Sequence, residues 1–295
     1  MTEQVADAYQ FPWYLYFTIL SIFLGACWGS FLNVCIYRIP RGIPTHKPAR
    51  SYCPHCEKQI PGTLNIPLVS YIMLGGKCKF CKGNISVRYF LVESLTAILF
   101  LLVWMKFSPD GSPRSFGLHP VTDVYVIPVY WLALFGLILG TFVDLEHYII
   151  PDRVTIGGII AGVVLSLLTP SLHDASTMLE GLKCSLIGGS LGFFLLWGVS
   201  IFGKMAFKKD AMGFGDVKLL GAIGAFLGWK AVLFNILASS LIGTVVGVAM
   251  ILLGKKEMGS RIPFGPFIAA AALLWILWGP TWWEAYMNLM LPPLP

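Results

Sequence analysis

The stretch VTDVYVIPVYWLALFGLILGTFVDLEHYIIPD, residues 121–152, sets the fold class of this chain. Its first part, 121–143, is an apolar run of spanning length, since a helix that crosses a bilayer needs about 20 such residues. The run ends on Asp144, and a second acid, Asp152, follows a proline a short way on. Outward from it, further apolar runs fall near 13–36, 89–105, 154–169, 182–203, 217–229, 231–253 and 262–279. Run 154–169 is slightly short, and 217–229 holds only 13 residues. The run from Trp13 follows Glu3 and Asp7 rather than a basic segment and is longer than a signal-peptide core, so it reads as a retained helix. The pattern predicts an all-α integral membrane protein of about eight transmembrane helices. Its parts are an N-terminal spanning helix (1–36), a polar loop domain (37–88) and a multi-helix membrane domain (89–295).

Composition agrees. Of 295 residues, 56% are hydrophobic and 12% charged, where a soluble domain carries roughly 25% charge. That excludes a soluble enzyme, a disordered tail and a nucleic-acid binder. The net charge of +6 does not argue for nucleic acid, because the basic residues fall between apolar runs. With eight helices and both ends outside, only Lys106, Arg114, Lys183 and Lys230 of the 21 lie outside, and 17 lie inside. Such a bias orients a membrane protein and puts loop 37–88 in the cytoplasm. Keeping Lys255, Lys256 and Arg261 inside favours eight helices over a re-entrant 217–229. No internal repeat is evident.

Of the seven cysteines, Cys27, Cys35 and Cys184 sit in apolar runs. The other four form Cys53-Pro-His-Cys56 and, 21 residues later, Cys78-Lys-Phe-Cys81. Each two-residue gap lets the backbone turn both thiolates toward one ion, so the four suit a tetrahedral zinc. A loop of this size buries little core by itself, and a metal cross-link would supply its folding energy. Four thiolates close the coordination shell, so the zinc would be structural, with His55 a spectator. A thiol relay, unligated thiols and an iron–sulfur cluster are the competing readings.

Ionisable groups beside apolar runs are functional candidates. Asp144 and Asp216, in Gly213-Phe-Gly-Asp216, fall at cytoplasmic ends of different helices and can face one another. Two close carboxylates share a proton and can activate water against a peptide carbonyl. Gly213 and Gly215 would let the backbone before Asp216 take unusual dihedrals and approach an extended substrate. Asp216 as a simple helix cap is the competing reading. Asp152, after Pro151 and before Thr155, reads as a helix N-cap. Glu93 would pair with Arg88 or reach the interface.

These residues, taken in order, resemble bacterial type IV prepilin peptidases. The resemblance rests on Gly29-Ser-Phe-Leu-Asn-Val34, Tyr37-Arg-Ile-Pro40, Arg50-Ser-Tyr-Cys-Pro-His-Cys56, Asn65-Ile-Pro-Leu-Val-Ser-Tyr71 and Gly75-Gly-Lys-Cys78. It continues through Ile85-Ser-Val-Arg-Tyr89 with Glu93, Asp144 to Asp152, Gly213 to Lys218 and Pro263-Phe-Gly-Pro266, and so covers about 25–270. Ala211 is a small departure, where many members carry glycine. The resemblance implies a bifunctional enzyme of the bacterial inner membrane with its active site facing the cytoplasm. It would cut leaders from prepilins and pseudopilins, then methylate the new N-terminal amine with S-adenosylmethionine. It implies Asp144 and Asp216 as the catalytic pair, Cys53, Cys56, Cys78 and Cys81 as the zinc ligands, and Gly76 as a residue of methyl transfer. No Gly-x-Gly-x-x-Gly loop marks a donor site. The alternatives are a peptidase without methylation, a membrane scaffold with a zinc loop, and a thiol redox protein.

Overall fold

A computed structural model of the chain describes residues 2–46, 51–53, 55–108, 124–208, 212–254 and 262–290. Arg114, Lys255, Lys256 and Arg261, named above for orientation, lie outside the described residues, as do Lys47, Arg50 and Lys209 among the 17 inside and Ala211. The described chain is helical apart from turns and two isolated bridges. The helices are α1 (Thr2–Arg38), α2 (Val69–Met73), α3 (Val87–Phe107), α4 (Val126–His147), α5 (Asp152–Leu168), α6 (Met178–Phe207), α7 (Phe214–Leu252) and α8 (Gly265–Met290). Six of them, α1, α3, α4, α6, α7 and α8, are long and apolar enough to cross a membrane.

The difference from eight has two causes. Helix α5 has only 17 residues. Runs 217–229 and 231–253 are continuous in α7, which spans 39 residues but is broken at Gly228 by φ 79°, ψ 176°. That conformation is open essentially to glycine alone. One turn before the break, the Ala225 carbonyl takes hydrogen bonds from other segments. Ser185 donates to it at 2.8 Å and Ser166 at 3.2 Å. Ser166 also shares a hydrogen bond of 2.8 Å with His173 Nε2. In a bilayer every freed backbone group needs such a partner.

The chain divides into two compact units, Met1–Ile127 and Pro128–Pro295. In the first, α1 lies along α3 at glycine contacts. A Cβ on Gly25 would meet the Ala97 Cα at 2.7 Å, and one on Gly29 the Glu93 Cα at 2.6 Å. Gly25 and Gly29 form the small-xxx-small spacing that lets membrane helices approach closely. Polar side chains tie the pair: Asn33 Nδ2 donates to the Tyr89 carbonyl at 3.1 Å, and Trp104 Nε1 to Thr18 Oγ1 at 3.0 Å.

In the second unit the closest helix contact joins α6 and α7. A Cβ on Gly188 would sit 2.3 Å from the Gly224 carbonyl oxygen, and one on Gly192 2.5 Å from that of Leu220. Leu237, Leu241, Val245, Val248 and Leu252 are exposed at helical spacing along the later part of α7. A stripe of that size is what a lipid-facing surface presents.

Candidate active site and metal centre

Asp144 sits in the last turn of α4 and is only 5% exposed. Its Oδ2 accepts from the backbone N–H of Gly265, the first residue of α8, at 3.0 Å. A Cβ on Gly265 would come within 2.7 Å of that oxygen, so the contact requires glycine. A helix N-terminus also favours the negative charge it meets.

Asp216 lies in the first turn of α7, 7% exposed. It is not a cap: Gly213 occupies that position, and the Asp216 N–H donates to the Gly213 carbonyl at 3.1 Å. Its Oδ1 is buried without a hydrogen-bond partner. Buried carboxylate oxygens are seldom left so, and an orphan marks a place where water or substrate binds. The charge of Asp144 reaches Asp216, so the two carboxylates share one electrostatic environment.

The glycines before Asp216 act differently from expectation. Gly213 has an ordinary φ of −69°, and Gly215 is helical. What they supply is room. A Cβ on Gly215 would lie 3.2 Å from Ile150 Cβ, and one on Gly213 3.2 Å from Asp216 Oδ2. Ile150, 8% exposed, faces Gly140, Gly215 and Gly265 and so packs between the two helices that carry the acids, α4 and α7, and the start of α8. Tyr148, two residues before it, takes φ 57° and donates its N–H to the Asp144 carbonyl at 2.9 Å, which turns the chain out of α4.

Asp152 is likewise no cap. Pro151 is the N-cap of α5 and no side chain caps it; Asp152 is the first helical residue. Its carboxylate pairs with Lys218 of α7. The pair ties the start of α5 to the start of α7, two residues past Asp216.

Cys53, Cys56, Cys78 and Cys81 come together in the first unit, with all four sulfurs within 4.8 Å of one another. Cys53 and Cys81 Sγ, from different knuckles, are 3.8 Å apart. A tetrahedron with Zn–S bonds of about 2.3 Å has sulfurs about 3.8 Å apart, so the cluster fits such an ion. N–H groups of Cys81 and then Phe80 hold the Cys78 thiol down to about 6, which favours the thiolate that binds metal.

The two knuckles are built alike. Glu57 N–H donates to the Cys53 carbonyl at 2.8 Å and Lys82 N–H to that of Cys78 at 3.0 Å, with φ 56° and 58° at Glu57 and Lys82. Cys53 N–H reaches Lys58, and Cys78 N–H reaches Gly83. The bridges Tyr52–Gln59 and Lys77–Asn84 match, and so do Ile60 to Ser51 and Ile85 to Gly76. Every element recurs 25 residues on, an internal repeat that the sequence reading did not find.

Gly76 has φ 67°, and a Cβ there would sit 2.9 Å from the Tyr71 hydroxyl. Glu93, 7% exposed, accepts from the Leu68 N–H at 2.7 Å and from the Ser30 hydroxyl. Glu93 and Tyr71 both line a cavity of about 450 Å³ in the first unit.

Comparison with known proteins follows the same division. A bacterial peptidase A24 N-terminal domain model matches residues 23–107, and a type IV leader peptidase family model matches 131–248. The chain is 34% identical to an Aeromonas hydrophila protein named prepilin leader peptidase/N-methyltransferase, over 95% of this chain and 97% of that one. A Pseudomonas aeruginosa protein of the same name is 35% identical over 93% and 94%. One from Myxococcus xanthus is 36% identical over 80% of this chain and 64% of its own length. No solved structure matches.

Proposed function

Since the chain belongs to the type IV leader peptidase family, we propose that it removes the leader from prepilins and pseudopilins and then methylates the new N-terminal amine. Cleavage is the work of Asp144 and Asp216 in the multi-helix domain, 89–295. The observation that carries this assignment is the pairing of two buried carboxylates, one fixed by the Gly265 N–H and one with an open oxygen.

Two such carboxylates hold one proton between them. A water bound at Asp216 Oδ1 attacks the scissile carbonyl carbon as its proton passes to the ionised carboxylate. The other carboxyl gives its proton to the carbonyl oxygen. When the tetrahedral species collapses, the C–N bond breaks, the leaving nitrogen takes a proton from the pair, and one hydroxyl of the tetrahedral carbon returns its proton to the pair as the C=O bond re-forms. Gly213 and Gly215 leave the entrance to Asp216 free of side chains. Gly265 keeps Asp144 from swinging away.

The loop 37–88 serves methylation, with S-adenosylmethionine as donor. Cys53, Cys56, Cys78 and Cys81 would hold a zinc ion whose contribution is to cross-link the loop. Gly76 contributes by giving Tyr71 room. The protein acts in the inner membrane, with the aspartates and the loop facing the cytoplasm. There a prepilin presents a basic leader beside an apolar helix. The test is to incubate the purified protein with a prepilin and S-adenosylmethionine and read the product mass. Loss of the leader together with one added methyl group is expected. An uncut substrate would overturn the reading.

A further inference from the structure

The cavity of the first unit lies where α1, α3 and the cysteine loop meet. Its volume of about 450 Å³ falls within the 300–1,000 Å³ usual for small-molecule sites. Two acceptors that the helix ladder does not consume face it. Glu93 presents a buried carboxylate. Asn33, 1% exposed, spends its Nδ2 on the Gly29 and Tyr89 carbonyls, while its Oδ1 is buried with no partner. An acceptor this deep, left open on a cavity wall, is an unfilled hydrogen-bond site. Around it stand the rings of Tyr37, Tyr52, Tyr71 and Tyr89, and Arg41 adds a cation to the lining.

Carboxylate, amide oxygen and aromatic faces together recognise a cation. The rings also offer stacking faces for a flat heterocycle. The arginine suits a carboxylate at the far end of the same ligand. A molecule with a cationic centre, a planar base and an amino-acid tail satisfies all three. We propose that this cavity is the binding site of the methyl donor, S-adenosylmethionine, with Glu93 and Asn33 as its cation-binding groups. The proposal rests on the methyltransferase reading above. It also gives Gly76 a physical role: any side chain there would displace Tyr71, which lines the cavity.

In the transfer itself, the lone pair of the neutral N-terminal amine forms a bond to the methyl carbon. The C–S bond breaks with its electron pair going to sulfur, which leaves as a neutral thioether. The proton that the ammonium gave up beforehand goes to water.

Two measurements on the purified full chain test this. The first is direct binding of S-adenosylmethionine. Glu93→Gln and Asn33→Leu should each weaken it by about tenfold or more, the usual effect of deleting a buried charge-assisted or orphan-filling contact. Metal content is the check on folding. The ratio of methylated to merely cleaved pilin should fall in parallel. The second needs no variant: methyl-labelled S-adenosylmethionine is cross-linked by ultraviolet light and the labelled peptide is mapped. Label within residues 30–41 or 51–93 is expected. Label within 128–290, or unchanged affinity in both variants, overturns the site while leaving the methyltransferase reading intact. A wild-type protein that neither binds nor uses the donor overturns that reading instead.

Discussion

The cysteine loop and the aspartate pair are built on opposite plans. The loop draws its four cysteines from a short stretch of chain, on two copies of one hydrogen-bonded turn. The aspartates come from helices far apart in sequence, and what brings them together is the absence of side chains at Gly140, Gly215 and Gly265 around Ile150. A site of the first kind tolerates changes elsewhere in the protein but depends on each ligand. A site of the second kind depends on residues that carry no chemistry. The lesson is that the functional residues of the membrane half include its glycines.

The sharpest test of that contrast is removal of the acids. Asp144→Asn and Asp216→Asn should each lower prepilin cleavage by at least about a thousandfold, as loss of a catalytic group does. Zinc content should stay at the wild-type level. Cleavage near the wild-type rate in either variant would break the comparison at its centre.

Next comes a residue without chemistry. Gly265→Ala puts a methyl group within 2.7 Å of Asp144 Oδ2 and must move the carboxylate. A displacement approaching 1 Å costs on the order of a hundredfold in rate. Steady-state cleavage should show a fall in kcat with the protein still extracted as a folded species. An unaffected kcat would show that the N–H of Gly265 does not position Asp144.

On the loop side, Cys53→Ser should reduce bound metal from about one ion per chain and open 37–88 to protease. Methylated product should fall while leader cleavage persists, because the knuckles and the aspartates belong to different compact units. A parallel collapse of both activities would show that the two plans are coupled.

The smallest effect is expected at the ion pair of Asp152 and Lys218. Asp152 is largely exposed, and an exposed pair contributes at most about 1 kcal/mol. Asp152→Ala should therefore leave cleavage within a few-fold of wild type. A loss comparable to Asp216→Asn would place Asp152 among the catalytic groups.

Much of this was readable from the chain. Lipid demands long apolar segments, so the runs mark the helices. Cys-x-x-Cys twice marks the cluster of four cysteines, and the two acids stand out against lipid. What escaped reading had no local signal. The knuckle repeat survives mainly in its cysteines and in Ile60 and Ile85, too few matches to notice. Asp152 looked like a cap because its neighbours suit one; its partner Lys218 lies 66 residues away. Gly228 is one of 31 glycines, and only its backbone dihedrals, with serines from other segments bonded to the Ala225 carbonyl, show that it breaks a helix. The role of Gly265 depends on Asp144 arriving from another helix.

The break at Gly228 has a consequence for biogenesis. The part of α7 before it, residues 214–227, runs about 21 Å, too short to enter a bilayer by its own hydrophobicity. It carries Asp216 and lies against the glycines of α6, which precedes it in the chain and reaches the membrane first. The segment thus takes its place by docking on a helix already inserted. Asp144, on the still earlier α4, waits for it. On the proposed assignment of Asp144 and Asp216, the protease would stay inert until α7 and then α8 arrive, so a half-made chain would not cut during its own insertion.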